Sequence, residues 1–214
     1  MRIALVGATG FIGSKILVEA VSRGHTVTAI CRHPEKIAAQ EGVRTCAADT
    51  SDAAALADAV ASHDILVHAC APPREMEMAP KIAAQTAITK AIIEAMKARG
   101  IPRIIAVGGA GTLLIDGIPS MDRPEFPKQF EGGAKATAVI KELLQEEQDF
   151  DWTVLCPSTM IVPGERTGKF RLDFDDLIVM ADGTSKISVE DFAVALVNEI
   201  ENPQYTGHRF TVGY

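Results

Sequence analysis

Residues 7 to 13 read Gly-Ala-Thr-Gly-Phe-Ile-Gly, directly after the apolar run Ile3–Val6 and directly before an amphipathic stretch. Three glycines between a strand and a helix restrict the chain severely. The first suits a tight turn, the second removes a side chain where the backbone must approach a ligand, and the third lets helix and strand pack closely. The unpaired N–H groups of the helix start then face whatever anion lies above Gly10. A dinucleotide diphosphate is the expected occupant, held by the loop Gly7, Ala8, Thr9, Gly10, Phe11, Ile12 and Gly13.

The rest of the chain repeats the same unit. Ile3–Val6, Thr26–Ile30, Val43–Cys46, Ile65–His68, Arg103–Val107, Trp152–Leu155 and Arg209–Val212 read as strands, mostly as continuous apolar runs covered on both faces. Helices are expected at Phe11–Ser22, in a short segment from Pro34 through Ala39, after a cap at Ser51 or Asp52, at Lys81–Lys97 and at Val189–Ile200. Another begins near Phe130. Alternation of strand and helix predicts an α/β fold, a doubly wound parallel sheet (Rossmann fold) with helices on both faces. No linker or repeat divides residues 1–214, so a single domain is expected, with a small C-terminal insertion on the substrate side. Two irregular segments, 108–130 and 157–186, are too long for plain connections and are expected to line a pocket. The second should contain a hairpin of Gly168–Leu172 with Leu177–Met180.

Composition excludes several partners. A formal net charge of -7 argues against nucleic acid and anionic membranes. No run approaches the roughly 18 apolar residues of a membrane span. Four cysteines in no metal-ligand spacing and five scattered histidines predict no metal site and a cytoplasmic location. The polar helix faces predict a monomer or weak homodimer.

The dinucleotide can be narrowed. Enzymes of this fold that take NAD place an acidic residue about 20 residues beyond the glycine loop, on the ribose 2′-hydroxyl. Here that corner is Ile30-Cys31-Arg32-His33-Pro34. Arg32 suits a 2′-phosphate, which favours NADP(H) over NAD(H), unless it is a solvated surface arginine. Ala69, Cys70 and Ala71 follow the fourth strand, at the switch point beside the first, where small residues let the cofactor lie against backbone.

The stretch from Ala4 to Lys15 resembles the NmrA-like, NAD(P)H-binding branch of the atypical short-chain dehydrogenase/reductases. Further matches run through Ala29–Ile37, Val107–Thr112, Asp151–Ser158 and Ile187–Ala193. The pattern is most similar to small bacterial NADH-flavin reductases and more distantly to biliverdin IXβ reductase. The resemblance implies that Asp49 meets the adenine amino group, although a helix-capping role fits it as well. It also implies that Gly108 and Gly109 flank the cofactor and that Pro157 abuts the nicotinamide, although a strand-ending proline reads the same way.

One element of the wider family is missing. The tyrosine and lysine that deliver a proton to a carbonyl oxygen have no counterpart, since Phe130 and Ala134 stand at about those positions. The corner after the fifth strand, Gly108 to Thr112, holds no serine. No catalytic acid is therefore assigned, and Thr112, Phe130 and Ser158 are expected only to line the substrate pocket. Two functions remain open. One is an NAD(P)H-dependent oxidoreductase whose small-molecule acceptor, a flavin or quinone-like substrate rather than a bound prosthetic group, takes hydride directly. The other is a non-catalytic redox sensor of NmrA type.

Overall fold

A computed structural model describes residues 1–214. In chain order the elements are β1 (Arg2–Val6), α1 (Gly13–Ser22), β2 (Thr26–Cys31), β3 (Val43–Ala47), α2 (Ala53–Val60), β4 (Ile65–His68), α3 (Met78–Arg99) and β5 (Arg103–Val107). There follow β6 (Leu114–Ile115), β7 (Ile118–Pro119), α4 (Lys128–Gln145), β8 (Asp151–Pro157), β9 (Met160–Val162), β10 (Arg171–Asp173), β11 (Lys186–Ser188), α5 (Val189–Glu201) and β12 (His208–Gly213).

Eight strands form one sheet in the order β10-β12-β8-β5-β4-β1-β2-β3. All pairings are parallel except β10 with β12. Side chains alternate between the two faces, and both faces are covered. Ala4, Val6, Leu66, Ile104 and Val154 pack under α2, α3 and α4 with Leu56, Ile92, Met96 and Ile140. Ile3, Leu5, Ile65, Val67, Ile105 and Phe210 pack under α1 and α5 with Ile16, Leu17, Phe192 and Leu196. This is the doubly wound arrangement that the sequence pattern predicts.

The helix ends follow ordinary capping chemistry. Between the two capping candidates the structure selects Asp52, whose Oδ1 accepts from the N–H groups of Ala54 and Ala55 at 3.0 and 3.1 Å. Ser188 Oγ accepts from Asp191 N at 3.0 Å to open α5. Gly100, with φ +62°, closes α3 in the left-handed region.

Two expectations are corrected. The segment from Pro34 is only a three-residue 3-10 turn, Pro34–Lys36, because Ile37 is already extended and the turn has no apolar face to bury. The hairpin of Gly168–Leu172 with Leu177–Met180 does not form. Arg171–Asp173 instead pairs antiparallel with β12, whose outer edge would otherwise be open. Leu177 leaves the sheet and donates its N–H to the Leu114 carbonyl at 2.9 Å, roofing the corner after β5. That pairing joins residues distant in sequence, so local pattern does not reveal it.

Candidate functional site

The chain leaves β1 toward β2 on one side, while β4 lies on the other, so a crevice opens at their carboxyl ends. A cavity of about 610 Å3 occupies it. Gly7, Thr9 and Gly10 supply one wall; Cys31 at the end of β2, Arg32 beyond it, and Asp49, Thr50 and Ser51 after β3 supply the next. Ala69, Cys70, Ala71, Pro72, Pro73 and Met76 close it from the β4 side, with Ala84, Ala87 and Ile88 of α3 behind.

The glycines of the loop divide their roles. Gly7 has φ +94°, and a Cβ there would lie 2.7 Å from the Ala69 carbonyl and the Cys70 nitrogen. A Cβ at Gly13 would lie 2.1 Å from the Gly7 oxygen, so α1 rests directly on the turn. At Gly10 the nearest protein atom to such a Cβ is the Gly7 oxygen at 3.3 Å, and its remaining side faces the cavity. Ile12 caps α1 without a side-chain hydrogen bond, and the amides of Phe11, Ile12 and Gly13 donate to no protein acceptor. Free amides at a helix start, beside a glycine whose missing side chain leaves open space, fit the diphosphate of a dinucleotide. Ala8 is buried beneath the loop and Phe11 is exposed, so these two contribute backbone rather than a lining side chain.

Arg32 is exposed at the end of β2, lines the cavity and makes no ion pair. Across from it Asp49 accepts from Ser51 N at 2.9 Å and Ser51 Oγ at 2.8 Å. Those hydrogen bonds hold the Asp49 carboxyl below its usual range, with a smaller contribution from the Arg32 charge. Asp49 thus lines the cavity while its carboxylate organises the turn after β3; the helix cap belongs to Asp52.

Beneath the cavity floor lies a neutral polar chain. His68 is fully buried, and burial pushes its pKa down to about 4. Its Nε2 stands 3.2 Å from Gln85 Nε2, which donates to a neutral ring, and its Nδ1 stands 3.6 Å from Cys70 Sγ. Burial pushes the Cys70 thiol up to about 12, so it is neutral at physiological pH.

The other end of the crevice is closely packed. A Cβ at Gly108 would meet Cys156 Sγ at 2.5 Å, and one at Gly109 would meet Thr137 Oγ1 at 2.2 Å. These glycines admit β8 and α4, so close packing of the protein alone requires them. Thr112 Oγ1 donates to the Gly109 carbonyl at 2.9 Å, Ser120 Oγ to the Ala110 carbonyl at 3.0 Å, and Thr137 Oγ1 to the Gly133 carbonyl at 3.1 Å. The buried Arg209 guanidinium donates to the Thr112 carbonyl and to Asp175, tying the corner to β12.

Pro157 is buried at the end of β8. Ser158 is 1% exposed and donates to the Val212 carbonyl at 2.9 Å. Phe130 projects from the first turn of α4 and is 57% exposed. Thr112, Phe130 and Ser158 thus differ in exposure, being half-buried, exposed and buried in turn, and the Ser158 hydroxyl is turned to the sheet. Neither tyrosine is free in the crevice. Tyr205 precedes β12 and stacks on Phe210 with ring centroids 4.1 Å apart, and Tyr214 Oη donates to Asp191 Oδ2 at 2.9 Å.

Several lining residues escaped sequence reasoning. Ala84, Ala87 and Ile88 recur at helical spacing along one stripe of α3, a signal that could have marked a face turned toward a ligand. Thr50, Ser51, Pro72 and Pro73 carry no comparable signal.

Known proteins agree with this geometry. The family model described as NAD(P)H-binding matches residues 7–203. A Burkholderia pseudomallei structure provisionally described as an exported protein is 40% identical, with full coverage of both chains and a TM-score of 0.89. A Streptococcus pneumoniae structure provisionally described as an NADH-flavin reductase is 28% identical, covering 100% of this chain and 99% of that one, with a TM-score of 0.86. A 3-diazoavenalumate denitrifying reductase from a Streptomyces species is 31% identical over 94% of this chain and 73% of its own length. The fold and crevice define an oxidoreductase-like protein that takes a nicotinamide cofactor. The chain belongs to the NAD(P)H-binding family.

Proposed function

We propose that this protein is an NADPH-dependent oxidoreductase that passes hydride directly to a flavin or quinone-like acceptor, without a proton donor from the protein. The bound nicotinamide would supply the hydride. The loop from Gly7 to Gly13 would hold the diphosphate, and Arg32 would meet the 2′-phosphate. Asp49 and the small residues Ala69 to Ala71 would bound the adenosine, while Gly108, Gly109 and Pro157 would stand toward the nicotinamide.

One observation carries the reading: every hydroxyl around the corner after β5 is committed to a backbone carbonyl. Reduction of a simple ketone develops an alkoxide that needs a positioned acid, and none is available there. A ring that delocalises the incoming electron pair makes no such demand. The similarity to a protein named as an NADH-flavin reductase, and to a reductase of a diazo compound, supports acceptors other than carbonyls.

The test is turnover of NADPH by purified protein with riboflavin, FMN and menadione, against a panel of ketones and aldehydes. Flavin or quinone reduction with an inert carbonyl panel is expected; robust carbonyl turnover overturns the reading. A non-catalytic sensor is favoured by one observation, the burial of Ser158 with its hydroxyl committed to the Val212 carbonyl. Tight NADPH binding with no turnover of any acceptor would establish it. Four free thiols suit a reducing cytoplasm, and the charge of -7 suits a small-molecule partner rather than nucleic acid.

A further inference from the structure

The eight-stranded sheet ends in two outer strands, β3 and β10, and they differ in what they could meet. β3 reads Val-Arg-Thr-Cys-Ala and carries one charge. β10 reads Arg-Leu-Asp, and all three residues are exposed. Its inner side is taken by β12. In an antiparallel pair every second residue turns its N–H and C=O away from the neighbouring strand, so the outer side of β10 keeps unpaired backbone groups. No backbone hydrogen bond from a loop or turn reaches residues 171 to 173.

Residues 169 to 175 read Lys-Phe-Arg-Leu-Asp-Phe-Asp. Counted outward from Leu172, each cation is matched by an anion and each aromatic by an aromatic: Arg171 with Asp173, Phe170 with Phe174, Lys169 with Asp175. Such a strand is complementary to itself. Laid antiparallel on a second copy about a two-fold axis at Leu172, it sets Arg171 of each copy opposite Asp173 of the other. Opposite charges directly across an antiparallel pair stabilise it, and like charges destabilise it. Pairing centred on Arg171 or on Asp173 would set like charges face to face, so the charges also fix the register.

The central charges are free to be used. Arg171 donates to the carbonyls of Val179 and Tyr214 and has no acidic side chain as partner. Asp173 Oδ1 accepts only from the adjacent Phe174 N, at 2.6 Å. Asp175 already holds Arg209, so the outermost pair with Lys169 adds least. Leu172, Phe174 and Val179 are 42%, 49% and 47% exposed beside this edge, apolar surface that a partner would cover.

We propose that β10 is a self-association edge, through which two copies of this chain pair antiparallel at Arg171–Asp173 and join their sheets into one. The pairing uses the same edge on both copies, so it closes at the dimer. A three-residue strand makes a small interface, and the dimer forms in the micromolar to millimolar range. The crevice hangs from β1, β2 and β4, on the far side of β5 and β8, so dimerisation is independent of the chemistry there.

Sedimentation velocity of the full chain, over a concentration series from low micromolar to millimolar, should show monomer passing to dimer and nothing larger. Added salt should weaken the dimer. Asp173→Arg makes the strand wholly basic and Arg171→Glu makes it wholly acidic; each should weaken self-association at least tenfold while NADPH affinity stays within twofold. Mixed together, the two variants should form a heterodimer, because Glu at 171 of one then faces Arg at 173 of the other. If Arg171→Glu lowers the melting temperature, Leu172→Lys serves instead, since it places two like charges on the axis and should break the dimer. A wild-type chain that stays monomeric throughout overturns the proposal, as does a dimer that survives both Asp173→Arg and Leu172→Lys. Folded acidic and basic variants that fail to associate also overturn it. Species larger than a dimer do so too, because they would join β10 to β3 in an open chain.

Discussion

Replacing Gly10 with valine separates binding from folding more cleanly than any other change in the crevice. A Cβ at this position clears its nearest neighbour, the Gly7 oxygen, at 3.3 Å, and the next, the Ala69 oxygen, at 3.9 Å. The protein can absorb that with a shift of a few tenths of an ångström, so the fold should survive. The two γ-methyls have only the cavity to enter, where the diphosphate would lie over the free amides of Phe11, Ile12 and Gly13. Displacing the diphosphate from two charge-assisted hydrogen bonds removes about 3 kcal/mol at the low end of their range, or about 150-fold in affinity. NADPH titration by fluorescence, with NADH in parallel, should show comparable losses for both, while the melting temperature stays within a few degrees of wild type. A folded Gly10→Val protein with wild-type NADPH affinity would refute the placement of the diphosphate.

Other changes should separate in the same way. Gly13→Ala should cost stability first, because its Cβ would fall 2.1 Å from the Gly7 oxygen; chemical denaturation should show a lower midpoint before any binding is tested. Arg32→Ala should weaken NADPH by about 1.5–3 kcal/mol, roughly 10- to 150-fold, and leave NADH nearly unchanged; equal losses would make Arg32 a general contact. Stability should also fall with acid before the carboxylates titrate. His68 is neutral when folded, with a pKa of about 4 against 6.5 in the open chain, so the unfolded state binds the extra proton as pH drops below 6.5. The loss should reach about 2 kcal/mol by pH 5 and level off below pH 4. Urea titrations of wild type and His68→Gln should show the variant without that slope, and identical slopes would mean that His68 takes up its proton in the fold as readily as in the open chain.

The glycine loop and the parallel core were legible because each rests on local constraints. Gly7 and Gly13 are dictated by backbone contacts within a few residues or to the adjacent strand, and Ile3–Val6 or Ile65–His68 could hardly be anything but doubly covered strands. The acceptor end was less legible because its contacts are non-local. Gly108 and Gly109 look like cofactor-facing glycines in the sequence, and the side chains they make room for, Cys156 and Thr137, lie tens of residues away. Ser158 lies next to a residue assigned to the nicotinamide, yet the pairing of β8 with β12 sends its hydroxyl to Val212.

The sheet order has an evolutionary consequence. The diphosphate loop, Arg32, Asp49 and the turn from Ala69 all hang from β1, β2, β3 and β4, whereas the corner of Gly108 to Thr112, α4 and Pro157 hang from β5 and β8. Each half is braced by its own contacts: Gly7 against Ala69 in one, Arg209 against Thr112 and Asp175 in the other. Mutations that remodel the second half leave the brace of the first untouched. A lineage can therefore exchange one acceptor for another while inheriting its cofactor grip intact, and chains alike in fold can come to serve unlike chemistries.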